Sequence, residues 1–222
     1  MDKLQALRQA NPQIAIHSIH DPLFARYGRV IEEDTASWCA AAEQAVAFPE
    51  EGSRYQAAVP ELDSLPEAEQ ARSLYCGQLD EQFGLCWGHS NRLNALEWHT
   101  CSEFNIAVRP LVLLLAKRGD IDEQGRLDAN EVTAFYLEQG AMVEVYADTL
   151  HFCPCEVTKN GFSCVVGLQR DTNLPLDGGK AKSPMLWAKN KWLMAHEDNV
   201  PLVARGAWPG IYGENWEIHP IV

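Results

Sequence analysis

Short runs of β-branched and aromatic residues, separated by clusters of turn residues, recur along the chain after residue 75. Runs with this composition and spacing are typical of strands, and their succession indicates a sandwich or a barrel. The sequence has no strand-then-helix alternation and no glycine-rich phosphate loop, which disfavours a nucleotide-binding doubly wound sheet. The predicted strand runs cover residues 76–87, 94–117, 131–146, 151–157, 162–168 and 189–195.

The pattern before residue 73 is mixed rather than strand-like. An alanine-rich run over 36–48 lies between suitable N-cap residues and a proline, and this arrangement predicts a helix. A shorter helix is predicted at 66–72. We therefore expect an all-β fold in two parts, with residues 1–72 as a helical or irregular N-terminal extension and residues 73–222 as a β-barrel with a C-terminal coda.

The net charge changes the range of expected partners. The chain has 31 acidic and 18 basic residues, a formal net charge of −13, which repels nucleic acid and anionic lipid headgroups. No apolar run approaches the roughly 20 residues that span a bilayer, and the first residues match no signal-peptide pattern, so we expect a cytoplasmic protein without nucleic-acid or membrane partners. The seven cysteines are then expected to be reduced thiols.

Three polar residues in the run 94–117 are candidates for chemistry. Glu97, His99 and Glu103 share odd parity, so one continuous strand would place them on the same face. A solvent-exposed face is the simpler interpretation. However, the continuous apolar run 110–115 that follows is typical of a strand covered on both sides, which favours burial. Because buried carboxylates need a cation or a strong donor, the pattern indicates a divalent metal and one further histidine.

The segment VEVYADTLHFCPC contains that histidine, His151, at the start of a predicted strand. Together with Glu97-Trp98-His99 and Glu103, it resembles the two motifs of the cupin superfamily, which are small β-barrels of the jelly-roll type. In cupins the first motif supplies two ligands one residue apart and a glutamate about four residues later, and the second supplies a histidine. The resemblance implies Glu97, His99, Glu103 and His151 as metal ligands, although Glu97 stands where cupins most often have histidine.

Two narrower resemblances accompany the cupin motifs. The whole chain, including GHSNRLNALEWH and LHFCPC, resembles a bacterial family of this length described as a domain of unknown function. The segments 97–100 and 146–151 also partly resemble ureidoglycolate lyases, with spacings that differ by one residue. The cupin resemblance further implies that the protein forms a homodimer, as many cupins do.

The types of ligand atom limit the range of metals that could bind but do not identify one metal. Imidazole and carboxylate ligands suit Mn²⁺, Fe²⁺, Ni²⁺ or Zn²⁺. A zinc–thiolate site is the alternative, because Cys153 and Cys155 share parity with His151 and could bind zinc with it or with Cys101. Unligated buried thiols are the more ordinary interpretation of these cysteines.

Residues 120–131 have the spacing of a calcium-binding EF-hand loop, with Asp120, Asp122 and Glu131 at ligand positions. The fifth position is Gln124, which is an unusual ligand, and the chain has no second such loop. A polar hairpin between two barrel strands, turning at Gly125, explains the same residues and is favoured.

Proton transfer beside a metal needs a further group, for which the sequence offers Glu144, next to Tyr146, and His89. Lys189, Lys191 and Glu214 lie in aromatic segments and are candidates to close the pocket. The expected function is a metal-dependent enzyme acting on a small polyhydroxy or hydroxy-acid substrate, as a sugar isomerase or a lyase. A non-catalytic small-molecule binding module and a metal-dependent dioxygenase are the alternatives, since a barrel fold does not fix activity.

Overall fold

The computed structural model describes residues 2–178 and 183–222. Strands dominate this part of the chain, and short helices lie mainly before the first long strand. The α-helices are α1 (Lys3–Ala10), α2 (Ala36–Ala45), α3 (Pro60–Asp63), α4 (Pro66–Leu74) and α5 (Val200–Ala204), and 3-10 turns span Pro22–Arg26, Arg118–Asp120 and Ala129–Glu131. The strands are β1 (Ile16–Ser18), β2 (Gly28–Ile31), β3 (Ser53–Gln56), β4 (Glu81–Gly88), β5 (Ala95–Trp98), β6 (Glu103–Ala107), β7 (Leu111–Lys117), β8 (Leu127–Asp128), β9 (Thr133–Leu137), β10 (Met142–Val145), β11 (Thr149–Leu150), β12 (Cys155–Glu156), β13 (Phe162–Gln169), β14 (Leu186–Ala188), β15 (Lys191–His196) and β16 (Trp208–Tyr212).

Two sheets form the barrel. One is antiparallel, in the order β2-β10-β6-β13-β4-β3, and the other has the order β1-β9-β7-β11, with β12 also pairing with β7. The sheets share one buried core, in which Leu113 and Phe135 of the second sheet pack with Val143 and Val166 of the first. Apart from the parallel pair β1–β9, both sheets are antiparallel, and their shared core confirms the predicted all-β barrel of the cupin, or jelly-roll, type.

Strand β7 lies between two hydrophobic cores, one inside the barrel and one outside it. Its odd-numbered residues, such as Leu113, face the inside of the barrel, and its even-numbered residues, such as Leu114, face a second core. That second core also contains Leu7 of α1 and Met194 of β15. The continuous apolar sequence of β7 therefore follows from burial on both faces, as the sequence predicts.

A helical layer covers the outer face of the six-stranded sheet. Trp38 of α2 and Leu62 of α3 pack against Phe83 and Ile106, whose side chains point away from the barrel interior. The helix predicted at 36–48 is confirmed as α2, which ends three residues earlier, at Ala45, and the helix predicted at 66–72 is confirmed as α4. The proposed division at residue 72 stays a prediction, and strands on both sides of it pair in the same sheets.

A third sheet, with the order β14-β15-β16-β8 and β5 paired with β15, closes one side of the barrel. The indoles of Trp98 and Trp192 stack across the β5–β15 pair with ring centroids 6.1 Å apart. Because β5 belongs to this sheet and β6 to the six-stranded sheet, the predicted strand over 94–117 is three separate strands in three sheets. The expectation of one continuous strand is therefore wrong: the chain changes sheets at residues 99–102.

Two other predicted strands are shorter than their sequence patterns. The run 76–87 begins at Glu81, because residues 76–80 form a turn in which Gly77 and Gln78 have positive φ. The run 151–157 contains only the two-residue strand β12 and one isolated bridge at His151. No helix within residues 2–178 and 183–222 is long and apolar enough to cross a membrane.

Asn11 joins the two ends of the chain. It is fully buried, its amide nitrogen donates to the carbonyls of Leu7 (2.9 Å) and His219 (3.0 Å), and its amide oxygen accepts from the backbone N–H of His219 (2.7 Å). Replacing it removes these three hydrogen bonds, of which the bond to Leu7 is buried and the two to His219 are partly buried. We expect Asn11→Ala to lower the free energy of unfolding by about 1–3 kcal/mol in denaturant titrations.

The matched control for this prediction is Asn130→Ala, because Asn130 is exposed and its hydrogen bond to Asp128 uses only the backbone N–H. We expect a change in stability within about 0.5 kcal/mol for this variant. Equal effects of the two substitutions would contradict the role assigned to Asn11.

Candidate metal centre

His99 lies immediately after β5, in the short link that crosses to β6. Its Nδ1–H donates to the backbone carbonyl of Asn190, 2.7 Å away. Asn190 adopts a left-handed conformation (φ +53°) in the turn between β14 and β15, and its side-chain oxygen accepts from the backbone N–H (2.9 Å) and hydroxyl (2.6 Å) of Thr100. The link is thus fixed to the turn, and Nε2 of His99 is left as the free ring nitrogen.

His151 is positioned by an isolated antiparallel bridge to Glu97. The N–H of Glu97 donates to the carbonyl of His151 (2.6 Å), and the N–H of His151 donates to the carbonyl of Glu97 (3.0 Å). The ring Nδ1–H donates to the carbonyl of Thr149 at 3.0 Å. His151 therefore also presents Nε2, so both imidazoles have the orientation that metal-binding histidines adopt.

Glu103, the first residue of β6, reaches both histidines. Its Oε2 lies 3.1 Å from Nε2 of His151 and 3.5 Å from Nε2 of His99. Its Oε1 accepts from the side-chain amide of Asn105 at 2.8 Å. The side chain points into the barrel, because Glu103 pairs with Val145, which also faces the interior.

Glu97 approaches the same point from β5. Its Oε1 lies 3.9 Å from Nε2 of His99, and its Oε2 forms an ion pair with Lys191 of the neighbouring strand β15. The Glu97 carboxylate therefore already has a positively charged partner, Lys191, in the metal-free protein.

The four side chains fit a divalent metal ion. Glu97, His99 and His151 offer one ligand atom each, all within 4.8 Å of one another, and Glu103 contacts both imidazoles. All four residues are less than one-tenth exposed, and Nε2 of His99 is buried without a hydrogen-bond partner. Such an atom needs a partner, which an ion at this point would supply.

The charges of this cluster are coupled. Burial alone would raise the pKa of Glu103, but the charge of His151, its hydrogen bond to Glu103 and the nearby His99 imidazole hold that pKa below its usual value. For His151, burial lowers the pKa, while the nearby Glu103 carboxylate outweighs burial and raises the pKa to about 9. Without a metal, the site therefore holds an ionised glutamate and a protonated His151 at neutral pH.

A cavity of about 210 Å³ adjoins the cluster. Its apolar surface includes Leu113, Phe152 and Val166, and the other lining residues are polar or titratable. These are Ser53, Arg54, Tyr55, Cys86, Glu97, Glu103, Asn105, His151, Cys153, Asn173 and Lys191, with Pro154 beside them. The cluster thus faces a space suited to a small ligand.

The cysteines form no metal site with His151 in the part of the chain described. Cys153 lines the cavity, where a hydrogen bond from the Cys86 thiol lowers its pKa. Cys155 instead is buried in the core on the other side of β7. The chain bends at Cys153, so the two thiols do not share a face as their parity predicts. Cys101 contacts the amide of Asn190 at 3.5 Å. The zinc–thiolate alternative is not supported.

Glu144 does not lie at the cluster. It pairs with Phe104 on β6, whose ring packs in the outer core, and its carboxylate forms an ion pair with Arg29 at 2.7 Å. Neighbouring positions on a strand point to opposite faces, so Glu144 points away from the interior that Val145 faces. The structure therefore does not support Glu144 as the base.

His89 is also remote from the cluster. Its Nδ1 contacts the carboxylate of Glu156 at 2.7 Å, and its ring lies edge-on to Phe48 beside a separate surface cleft. The loop at 120–131 joins the antiparallel strands β7 and β9, which confirms the hairpin interpretation. Within it, Asp122 accepts from the backbone N–H groups of Gln124 (2.9 Å) and Arg126 (2.8 Å).

The sequence patterns do not predict four of the residues at the site, which are Tyr55, Asn105, Asn173 and Asn190. Asn105 shares odd parity with Glu103 on β6, so its position beside Glu103 could have been predicted from alternation alone. The other three come from distant segments, and their positions depend on how the sheets meet. Lys191, one of the residues expected to close the pocket, does line the cavity.

The chain belongs to the family described as a domain of unknown function, DUF4867, whose model matches residues 16–216. No curated protein sequence matches it significantly. The resemblance to ureidoglycolate lyases stays a prediction.

Among solved structures, the chain is similar to Bacillus subtilis oxalate decarboxylase, in a study of its Mn(II) centres, with 10% identity and a TM-score of 0.31. The match covers 44% of this chain and 24% of that one, so it spans about a quarter of the decarboxylase chain. It is also similar to Fe(II)-HppE with the alternative substrate (S)-1-HPP, with 12% identity, a TM-score of 0.29 and coverage of 40% and 42%. Likeness at this level bears on neither substrate nor mechanism.

Metal analysis tests the cluster directly. After reconstitution with Mn²⁺ or Zn²⁺ and removal of free metal, we expect close to one ion per chain by elemental analysis. His99→Ala and His151→Ala should retain far less metal, since imidazole is a strong ligand for these ions, and Glu97→Gln should retain more than either. His89→Ala is the matched control and should bind metal like the wild type. Absence of metal from the reconstituted wild type would refute the site.

Metal affinity should also depend on pH. An ion must displace the proton of His151, whose pKa is raised to about 9 in the metal-free protein. The apparent affinity for Mn²⁺ should therefore rise about tenfold per pH unit as the pH increases toward about 9, and then level off. Calorimetric titration in buffers of different ionisation enthalpy measures the released proton, and an affinity that is constant with pH would contradict this coupling.

Proposed function

We propose that the protein is a metal-dependent enzyme that isomerises or cleaves a small polyhydroxy or hydroxy-acid substrate. The observation that carries the proposal is the convergence of two carboxylates and two oriented imidazoles, with Nε2 of His99 unpartnered, beside a cavity. His99, His151 and Glu103 would hold the ion, with Glu97 as a fourth ligand. A bound divalent ion would supply Lewis acidity toward adjacent substrate oxygens, and Mn²⁺, Fe²⁺, Ni²⁺ and Zn²⁺ all suit these donors.

Lys191 replaces Glu144 as the proposed proton-transfer group. It lines the cavity, its side chain is 16% exposed, and its ammonium group contacts Glu97. Lysine has three N–H donors, so Lys191 can contact Glu97 and still donate to a substrate oxygen. In this proposal the pairing with Glu97 holds the ammonium group beside the reacting carbons, where it gives a proton to the oxygen that gains charge.

The apolar walls of the cavity reduce the access of water to a bound substrate. Leu113, Phe152 and Val166 present apolar surface, which limits the number of water molecules around the ligand. Exclusion of water strengthens the interactions of Lys191 and Glu97 with a bound substrate.

Substitution of Lys191 tests this role. We expect Lys191→Met to keep the metal but to lower turnover by about 10² or more, the scale of a lost acid or base. The experiment requires a screen of aldoses, ketoses, hydroxy acids and ureido acids with Mn²⁺-loaded protein. Lys189→Met is the matched control, because Lys189 lies two positions away and pairs with the exposed Asp177 (2.9 Å).

Three outcomes decide between the alternatives. Wild-type turnover in Lys191→Met, with turnover lost in His99→Ala, would retain the metal centre and exclude the lysine. Ligand affinity without turnover in any form would indicate a binding module. Oxygen consumption during turnover would indicate a dioxygenase instead.

A further inference from the structure

The cavity contains two buried hydrogen-bond acceptors that the proposed chemistry does not use. They are the side-chain oxygens Oδ1 of Asn105 and Asn173, and neither has a hydrogen-bond partner in the structure. Both residues line the cavity. Buried polar atoms normally have partners, so two unpartnered acceptors in one cavity indicate that a ligand supplies the donors.

The amide of Asn105 has a defined orientation. Its nitrogen donates both to Oε1 of Glu103 (2.8 Å) and to the carbonyl of Phe104 (3.2 Å), and both of these atoms are acceptors only. A flipped amide would lose both bonds. Oδ1 of Asn105, a residue only 2% exposed, is therefore the atom left for a ligand.

Asn173 and Tyr55 form a second polar pair at the cavity. The side-chain amide of Asn173 donates to the phenol oxygen of Tyr55 at 3.0 Å. In this amide orientation the phenol oxygen accepts, so the phenol proton is free to be donated. The pair then offers a ligand one acceptor, Oδ1 of Asn173, and one donor, the hydroxyl of Tyr55, and Lys191 offers further donors. With the amide flipped, the phenol would donate to Oδ1, and the pair would still offer one acceptor, the phenol oxygen, and the N–H donors of Asn173.

The mixture of acceptors and donors favours one of the two substrate classes of the proposed function, polyhydroxy compounds, over the other, hydroxy acids. This inference rests on the proposed function. A hydroxyl group both donates and accepts, so it can pair with every polar group of the cavity. A carboxylate only accepts: it could pair with Lys191 or Arg54, which also line the cavity, but it would face an amide oxygen with unshared electron pairs. The volume of about 210 Å³ is also below the roughly 300–1,000 Å³ of pockets for drug-sized ligands.

We propose that the cavity binds a neutral polyhydroxy molecule no larger than a monosaccharide. Its hydroxyl groups donate to Oδ1 of Asn105 and Oδ1 of Asn173 and accept from Tyr55 and Lys191. The hydroxy-acid branch of the proposed function is thereby disfavoured.

Calorimetry with matched ligand pairs tests the inference. Threitol, xylitol and sorbitol are compared with threonate, xylonate and gluconate, which carry a carboxylate in place of one hydroxymethyl group. Both the metal-free and the Mn²⁺-loaded full chain are titrated. For at least one pair we expect the polyol to bind at least tenfold more tightly than the acid, in the metal-loaded protein.

Two variants separate the contributions of donor and acceptor. Tyr55→Phe should weaken polyol binding about tenfold, near the upper end for one hydrogen bond. Asn173→Gly removes the acceptor without backbone strain, since Asn173 has φ +73°, and should weaken the polyol but not the acid. Tyr212→Phe is the matched control, because Tyr212 lies on β16 and does not line the cavity. It should leave binding unchanged.

The results that would overturn the polyol inference differ from those that would refute the metal centre. Tighter binding of the acids overturns the inference, and so does a failure of every polyol to bind at millimolar concentration, even if one metal ion per chain is present. Equal loss of polyol and acid binding in Asn173→Gly also overturns the acceptor role. Failure of the wild type to bind Mn²⁺ refutes the proposed function, whereas a preference for polyols in the metal-free protein would still support the inference.

Discussion

The enclosure of two carboxylates inside a β-barrel is the constraint on which the site depends. Glu97 and Glu103 are each less than one-tenth exposed, and burial of an ionised carboxylate is costly unless positive charge and hydrogen bonds compensate. Lys191 contacts the first carboxylate, while His151 and Asn105 contact the second. The surrounding strands hold these partners in place, and the resulting arrangement concentrates ligand atoms around one point.

The fold is the part of the molecule that the sequence predicts best. The unbroken apolar run of β7 predicts burial on both faces, and the structure shows a core on each side. The four proposed ligands are found together because a backbone bridge joins Glu97 to His151 and a short link joins β5 to β6. Strand parity alone would not have sufficed, since residues 99–102 leave one sheet and enter another.

Long-range features of the site were not predictable from local pattern. The position of Glu144 depends on the register between β10 and β6, because parity shows which residues share a face but not which face is internal. Asn190 and Lys191 reach the site only because β15 pairs with β5. Tyr55 and Asn173 lie 118 residues apart and meet through the packing of their segments.

The four proposed ligands come from separate parts of the fold, so a bound ion would affect how the protein unfolds. Glu97 is on β5 of the third sheet, His99 is in the link from β5 to β6, Glu103 is on β6 of the barrel, and His151 lies in the irregular segment after β11. An ion bound by all of them would act as a cross-link between these parts of the fold, in addition to the backbone bridge between Glu97 and His151. Binding energy at this point would then oppose separation of these parts, so metal loading would raise the cooperativity of unfolding as well as the stability of the native state.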